Sequence, residues 1–338
     1  MPFLLLFEPS SGSSWLMQEL AALTDEEGTP AVCAVGFEPL DNISLKSPEN
    51  HAARLRWLST LWAPPEMPSA HGTAFGEADV AWHEWRQAVL RDSIFGQRPL
   101  VAASLDRCNA SSVAFGLKAR LSRLLSDESG RSLDGLAKLV AHRHVRVIHL
   151  HRRNVIKQAL AEYRRLHAGL GQFASSEPLA HKNASTRGAA AAAPRSTVVK
   201  LGTFRKSLKA VERSRRLTQE VVDRLALTLK RLALTLPEGG AAPPLSLAYE
   251  ELLADRRGAI QRIATFLSLQ LPLAEPGIGP SGAQKYKKAT PDKMCEAVRN
   301  YAEFCHAFAA TRYADFFDEP CEAACGKTRK APEALVRQ

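Results

Sequence analysis

The chain contains no apolar run near the roughly 20 residues that a bilayer-spanning helix needs. Its first apolar run, Phe3–Phe7, stops at Glu8 and has no basic flank. That is too short for the core of a secretory signal, so it reads as a first buried strand. With no secretory signal, the protein is expected in the cytoplasm and its six cysteines as free thiols rather than a disulfide framework. The sequons at Asn42, Asn109 and Asn183 then carry no meaning. The pairs His142/His144 and His149/His151 have strand spacing, but no cysteine or carboxylate cluster completes a zinc site, and no metal is expected. Gly-x4-Gly-Lys-Ser/Thr is absent, which excludes the ordinary ATP or GTP loop. Gly277-Ile-Gly-Pro-Ser-Gly282 matches a dinucleotide fingerprint only formally, because it follows no strand and contains proline. There is no internal repeat.

What is present is the composition of a soluble globular protein: 338 residues, 45% hydrophobic and 24% charged. That length suffices for one large domain. The net charge of +10 is uneven. Arg195–Arg231 holds eleven Lys or Arg against Glu212, Glu220 and Asp223, a net +8. Such a segment is either a solvated helix face or an attractor for anions.

Five short apolar runs read as strands covered on both faces: Phe3–Phe7, Ala31–Val35, Val113–Leu117, Val145–Leu150 and Leu245–Ala248. Helical spacing lies between and after them, at 77–95, 154–167, 204–236, 250–268 and 291–309. The last opens on Thr290-Pro291, a cap followed by proline at the first helical position. Strands alternating with helices predict an α/β fold: a P-loop-like, doubly wound, mainly parallel sheet of about five strands flanked by helices. Residues 1–317 form one expected domain. An Ala/Ser-rich insert at 174–197 reads as flexible, and 318–338 as a disordered tail.

The chemistry concentrates at strand ends. After the first strand comes Pro9-Ser-Ser-Gly-Ser-Ser-Trp15, with Leu16, Leu20 and Leu23 then on one helix face. A strand, a small-residue loop and a helix aim backbone N–H groups, hydroxyls and the positive helix end at one point, which suits phosphate or sulfate. The fourth strand runs into His151-Arg-Arg-Asn-Val-Ile-Lys157. Arg152 and Arg153 fall at its carboxyl end, where open α/β sheets bind ligands, and Lys157 lies one turn on. Paired guanidiniums oppose the dipole of the helix they precede and so call for an anion.

The Pro9–Trp15 loop resembles the 5′-phosphosulfate loop of sulfotransferases that use PAPS (3′-phosphoadenosine 5′-phosphosulfate). The Arg152–Ala161 stretch resembles their 3′-phosphate motif, in the variant of bacterial carbohydrate and nodulation-factor enzymes. Tyr249-Glu-Glu-Leu-Leu253 resembles a segment that closes the core sheet in that family, and no chemistry is expected of it. Gln284-Lys-Tyr-Lys-Lys-Ala-Thr-Pro291 resembles a late basic loop over the donor nucleotide. The resemblance implies that Ser10, Ser11, Gly12, Ser13, Ser14 and Trp15 hold the phosphosulfate of PAPS. It places Arg152, Arg153 and Lys157 at the 3′-phosphate, and Lys287 and Lys288 over the nucleotide. It makes Glu38, in Gly-Phe-Glu-Pro39, the general base, and Lys118, in Gly116-Leu-Lys118, a contact of the transferring group. The acceptor is a hydroxyl or amine of a carbohydrate or small metabolite, with the aromatic 57–95 region (Trp57, Trp62, Trp82, Trp85) on its side. No nucleic acid or membrane is an expected partner, and the oligomeric state stays open. The rival is a non-catalytic anion- or polyanion-binding protein built on the same fold. Two positions depart from the family: Ser10 stands where it has Arg or Lys, and Ala161 where it has a phosphate-binding Ser.

Overall fold

Pro2 opens the first strand at a position where no ladder donor is needed, and five apolar residues follow it into the core. The computed structural model describes residues 1–26, 28, 30–35, 55, 58–59, 62, 114–120, 131–167, 196–234, 242–269 and 293–323. Within them β1 (Pro2–Phe7), β2 (Val32–Val35), β3 (Ala114–Arg120), β4 (Arg146–His151) and β5 (Leu245–Ala248) form one five-stranded sheet. Its order is β2-β3-β1-β4-β5 and every pairing is parallel. The doubly wound α/β expectation therefore holds. The strands lie within a few residues of their expected positions; β3 runs on past Leu117 to Arg120.

The chain divides into two compact units. The first comprises Met1–Arg153, Ser176–Ala180 and Glu212–Lys285, and contains the sheet. Strand alternation sends its side chains to two apolar layers. Phe3, Leu5 and Phe7 join Leu16 and Leu20 of α1 (Ser13–Ala21) and Ile260 and Ile263 of α6 (Arg256–Phe266). Leu4 and Leu6 join Leu136 and Val140 of α2 (Arg131–His142) and Leu225 and Leu229 of α4 (Leu201–Ala233). Trp62 is buried in this second layer, so its indole is core rather than acceptor lining. Trp57, Trp82 and Trp85, with the expected 77–95 helix, lie outside the described residues.

Helix α2 was not anticipated, although Leu133, Leu136, Ala137 and Val140 follow helical spacing. Gly135 in its middle argues against a helix on propensity. The structure explains that glycine: a Cβ there would lie 2.9 Å from Leu55. The expected 250–268 helix is two, α5 (Tyr249–Ala254) and α6, because Asp255 leaves helical geometry and its carboxylate accepts from the Gly258 N–H at 2.8 Å.

The second unit comprises Asn154–Ser175, His181–Val211 and Tyr286–Gln338. Its core joins Ile156, Leu160 and Tyr163 of α3 (Val155–His167) to Phe204, Phe304 and Phe308. The expected 291–309 helix is two, α7 (Met294–Ala297) and α8 (Tyr301–Ala309), and its opening residues 291–292, like the preceding Thr290, are not described. The cysteine expectation fails. Cys305 and Cys321 form a disulfide, and Cys33 and Cys295 are each held in a disulfide rather than free. The start of the expected tail is tied down as well, since the Tyr301 hydroxyl donates to the Glu319 carbonyl at 2.8 Å. Residues 174–195 of the expected insert and 324–338 are not described. Among the described residues no helix is long and apolar enough to cross a membrane.

Candidate functional site

The carboxyl edge of β1 lies between β3 and β4, and helices α1 and α2, which follow β1 and β3, cover opposite faces of the sheet. That is a topological switch point, where open α/β sheets leave a crevice. The loop after β1 turns through two left-handed residues, Ser10 (φ 60°) and Gly12 (φ 82°). The Ser11 N–H donates to the Glu8 carbonyl at 3.2 Å, closing the turn. Gly12 is the N-cap of α1, so no side chain caps the helix, and its first turn has no acidic residue. Its leading N–H groups and positive dipole end therefore stay available to an external anion. Ser11 is fully buried, and its Oγ has no hydrogen-bond partner.

Three elements converge on this loop. From β3, Lys118 pairs in register with Leu5, which puts it on the α1 face. It is 1% exposed and its Nζ donates to Ser14 Oγ at 2.7 Å, so it is a buried cation rather than a rim lysine reaching for water. A buried ammonium is costly without anionic or dipolar partners, and the Ser14 hydroxyl is one such partner. From β4, buried Arg152 donates through Nη1 to the Ser10 carbonyl at 3.2 Å. Burial pulls its pKa down, while the neighbouring Tyr249 and Glu250 push it back up. From the end of β5, the Tyr249 ring stacks under the Arg152 guanidinium at 5.0 Å and meets Trp15 edge-on at 6.0 Å.

The twin arginines differ. Arg153 N–H donates to Glu250 at 2.8 Å, its guanidinium pairs with Glu251, and its side chain is 61% exposed. Glu251 also binds Arg262 at 3.0 Å. Part of the anionic charge demanded by two adjacent guanidiniums thus comes from the chain itself. Glu250 and Glu251 received no role from sequence. The missing signal was strand adjacency: β5 pairs with β4 through His151↔Ala248, which sets an acidic strand end beside a basic one. Lys157 belongs to the second unit, where it pairs with Asp318. Asn154, also there, caps α3 by accepting from the Lys157 N–H at 2.8 Å. Glu38, Lys287 and Lys288 lie outside the described residues.

The other sheet face carries a second polar group that sequence reading missed. Glu8, buried at the strand end, lies 3.8 Å from Arg215 Nε of α4. Arg215 also donates to the Arg153 carbonyl at 3.2 Å. His149 is fully buried, stacks on His151 at 5.3 Å, and leaves both ring nitrogens without a hydrogen-bond partner. Burial, then the neighbouring His151, lowers its pKa to about 4, so this imidazole is neutral in the folded protein near pH 7.

No family model matches the chain, and no curated protein matches it. Among solved structures it is similar to the sulfotransferase domain of the Synechococcus PCC 7002 olefin synthase. The identity is 14%, over 80% of this chain and 74% of that one, with a TM-score of 0.31.

Proposed function

We propose that the protein is a sulfotransferase that moves a sulfuryl group from PAPS to a hydroxyl or amine of a carbohydrate or small metabolite. The observation that carries this reading is the uncapped loop at 10–14 with two buried cations on it, Lys118 at Ser14 and Arg152 at Ser10. A loop that offers helix N–H groups, serine hydroxyls and two cations, yet no P-loop lysine, matches the resemblance of Pro9–Trp15 to a phosphosulfate loop. The buried Ser11 Oγ is a further group that an oxyanion can satisfy.

In that reaction the acceptor oxygen attacks sulfur in line and the bond from sulfur to the 5′-phosphate oxygen breaks. PAP (3′-phosphoadenosine 5′-phosphate) leaves, and the acceptor proton passes to a base. The protein's part is alignment and charge stabilisation. Lys118 and the α1 amides are proposed to face charge that builds on the leaving side, Arg152 and Arg153 to take the 3′-phosphate, and Glu38 to act as the base. Lys157, Lys287 and Lys288 are proposed to approach the nucleotide. The carbohydrate preference rests on the resemblance of Arg152-Arg-Asn-Val-Ile-Lys-Gln-Ala159 to the variant found in bacterial carbohydrate and nodulation-factor enzymes.

A second reading has one observation of its own. Arg205, Lys206, Lys209, Arg213, Arg216, Arg224, Lys230 and Arg231 are all exposed along α4, as a polyanion-binding helix would present them. The two readings separate in one experiment, thermal melting with PAP, ATP and RNA. PAP at 100 times its Kd adds about 2.7 kcal/mol and shifts the melt clearly. The sulfotransferase reading expects a PAP shift well above that of ATP, followed by labelled sulfate transfer to pooled acceptors. Equal shifts by ATP and PAP sink it. A response to RNA alone, collapsing steeply with salt, favours the polyanion reading.

A further inference from the structure

We propose that Arg152 supplies the cation that position 10 of the anion loop lacks, and that it serves the 5′ end of the donor. Only Arg153 is then left to serve a 3′-phosphate. The inference rests on the donor reading above and changes how the twin arginines divide the ligand between them.

Three features of the first unit carry it. Arg152 Nη1 reaches the carbonyl of Ser10, the residue whose own side chain has no charge, at 3.2 Å. The Tyr249 ring holds it there: the guanidinium lies 5.0 Å above the ring, and Gly12 of the same loop packs against that ring. One aromatic side chain thus locks the guanidinium to the loop. Lastly, Arg152 is nine-tenths buried, yet its Nε has no hydrogen-bond partner, the Glu250 carboxylate lying 3.9 Å away. A buried, unsatisfied donor on a side chain that touches this loop at Ser10, and a buried, unsatisfied Ser11 Oγ in the same loop, point to a ligand oxyanion there. Arg153 shares none of this. Its backbone N–H and side chain go to Glu250 and Glu251, and its guanidinium is mostly exposed.

The test uses the full chain and three probes: PAP, adenosine 5′-phosphosulfate (no 3′-phosphate) and adenosine 3′-phosphate (no 5′ group). Calorimetry of Arg152→Gln is expected to show PAP and adenosine 5′-phosphosulfate weakened by a common factor, roughly 10- to 100-fold, with adenosine 3′-phosphate unchanged. Arg153→Gln is expected to weaken PAP and adenosine 3′-phosphate and spare the 5′-phosphosulfate. Adding Ser10→Arg to Arg152→Gln should recover most of the lost 5′ affinity. If Arg152→Gln strands Glu250 and does not melt as a native protein, Arg152→Lys carries the same comparison, since it keeps the charge and loses the fork. Loss of adenosine 3′-phosphate binding in either Arg152 variant, with the 5′-phosphosulfate unaffected, overturns the proposal alone. A parent chain that binds none of the three probes overturns the donor reading and this proposal with it.

Discussion

Gly12 and Tyr249 are in direct contact across the sheet's carboxyl edge: a Cβ on Gly12 would lie 2.5 Å from two carbons of the Tyr249 ring. The loop after the first strand and the segment after the last are therefore shaped to each other. The close approach also fixes the ring on which Arg152 rests.

Gly12→Ala should be destabilising on two counts, the left-handed backbone and the ring. The backbone alone costs about 1–2 kcal/mol. Gly28 is the control, because it has φ 80° but nothing within 4 Å of its Cβ position. Urea unfolding of the two alanine variants should show the larger loss at Gly12, together with weaker PAP binding. Equal losses would mean that the Tyr249 contact relaxes freely.

Lys118→Met should keep the fold, since methionine fills the lysine stem volume in an apolar strand next to Phe7. PAP affinity should fall by about 1.5–3 kcal/mol, the loss of a charge-assisted contact, read by calorimetry. A variant that binds PAP like the parent would remove Lys118 from the anion site.

His149 gives a signed pH prediction. Its folded pKa of about 4 lies below the ordinary 6.5, so between these values the unfolded chain binds a proton that the folded chain refuses. Stability is then full above pH 6.5 and falls as pH drops toward 4, by on the order of 3 kcal/mol from this residue. His149→Phe should flatten that part of the stability–pH curve in denaturant titrations. An unchanged slope would place the titration elsewhere.

Cys321→Ser opens a loop of sequence separation 16 that the Cys305–Cys321 bond closes. Chain entropy puts the cost near 3 kcal/mol. Under non-oxidising handling the variant should gain early proteolysis after residue 309, where the parent is protected. Identical digestion patterns would show that the aromatic packing of Phe317 on Tyr301, Phe304 and Phe308 holds the segment alone.

Glu38→Gln tests the proposed base. Turnover should fall by about 10²–10⁴-fold while PAP affinity stays nearly constant, because the proposed role concerns the acceptor's proton and not the nucleotide. A change under about threefold returns the role to another group.

The five strands and the strand–loop–helix turn at 7–13 were legible in the amino-acid order because each depends on local pattern. An apolar run such as Phe3–Phe7 is a central strand buried on both faces of the parallel sheet. A small-residue turn between strand and helix presents N–H groups whatever surrounds it. The rest depended on neighbours far along the chain. That Lys118 is buried on Ser14 follows from the β1–β3 register, 104 residues from loop to strand. That Glu250 and Glu251 take up the arginines follows from β4 pairing with β5. Burial of His149 follows from the packing of α4 over that sheet face, and the Cys305–Cys321 bond from the fold of the second unit. Local periodicity names which residues leave water, but strand order alone decides which charges then meet, because a side chain's partner in a parallel sheet comes from another strand.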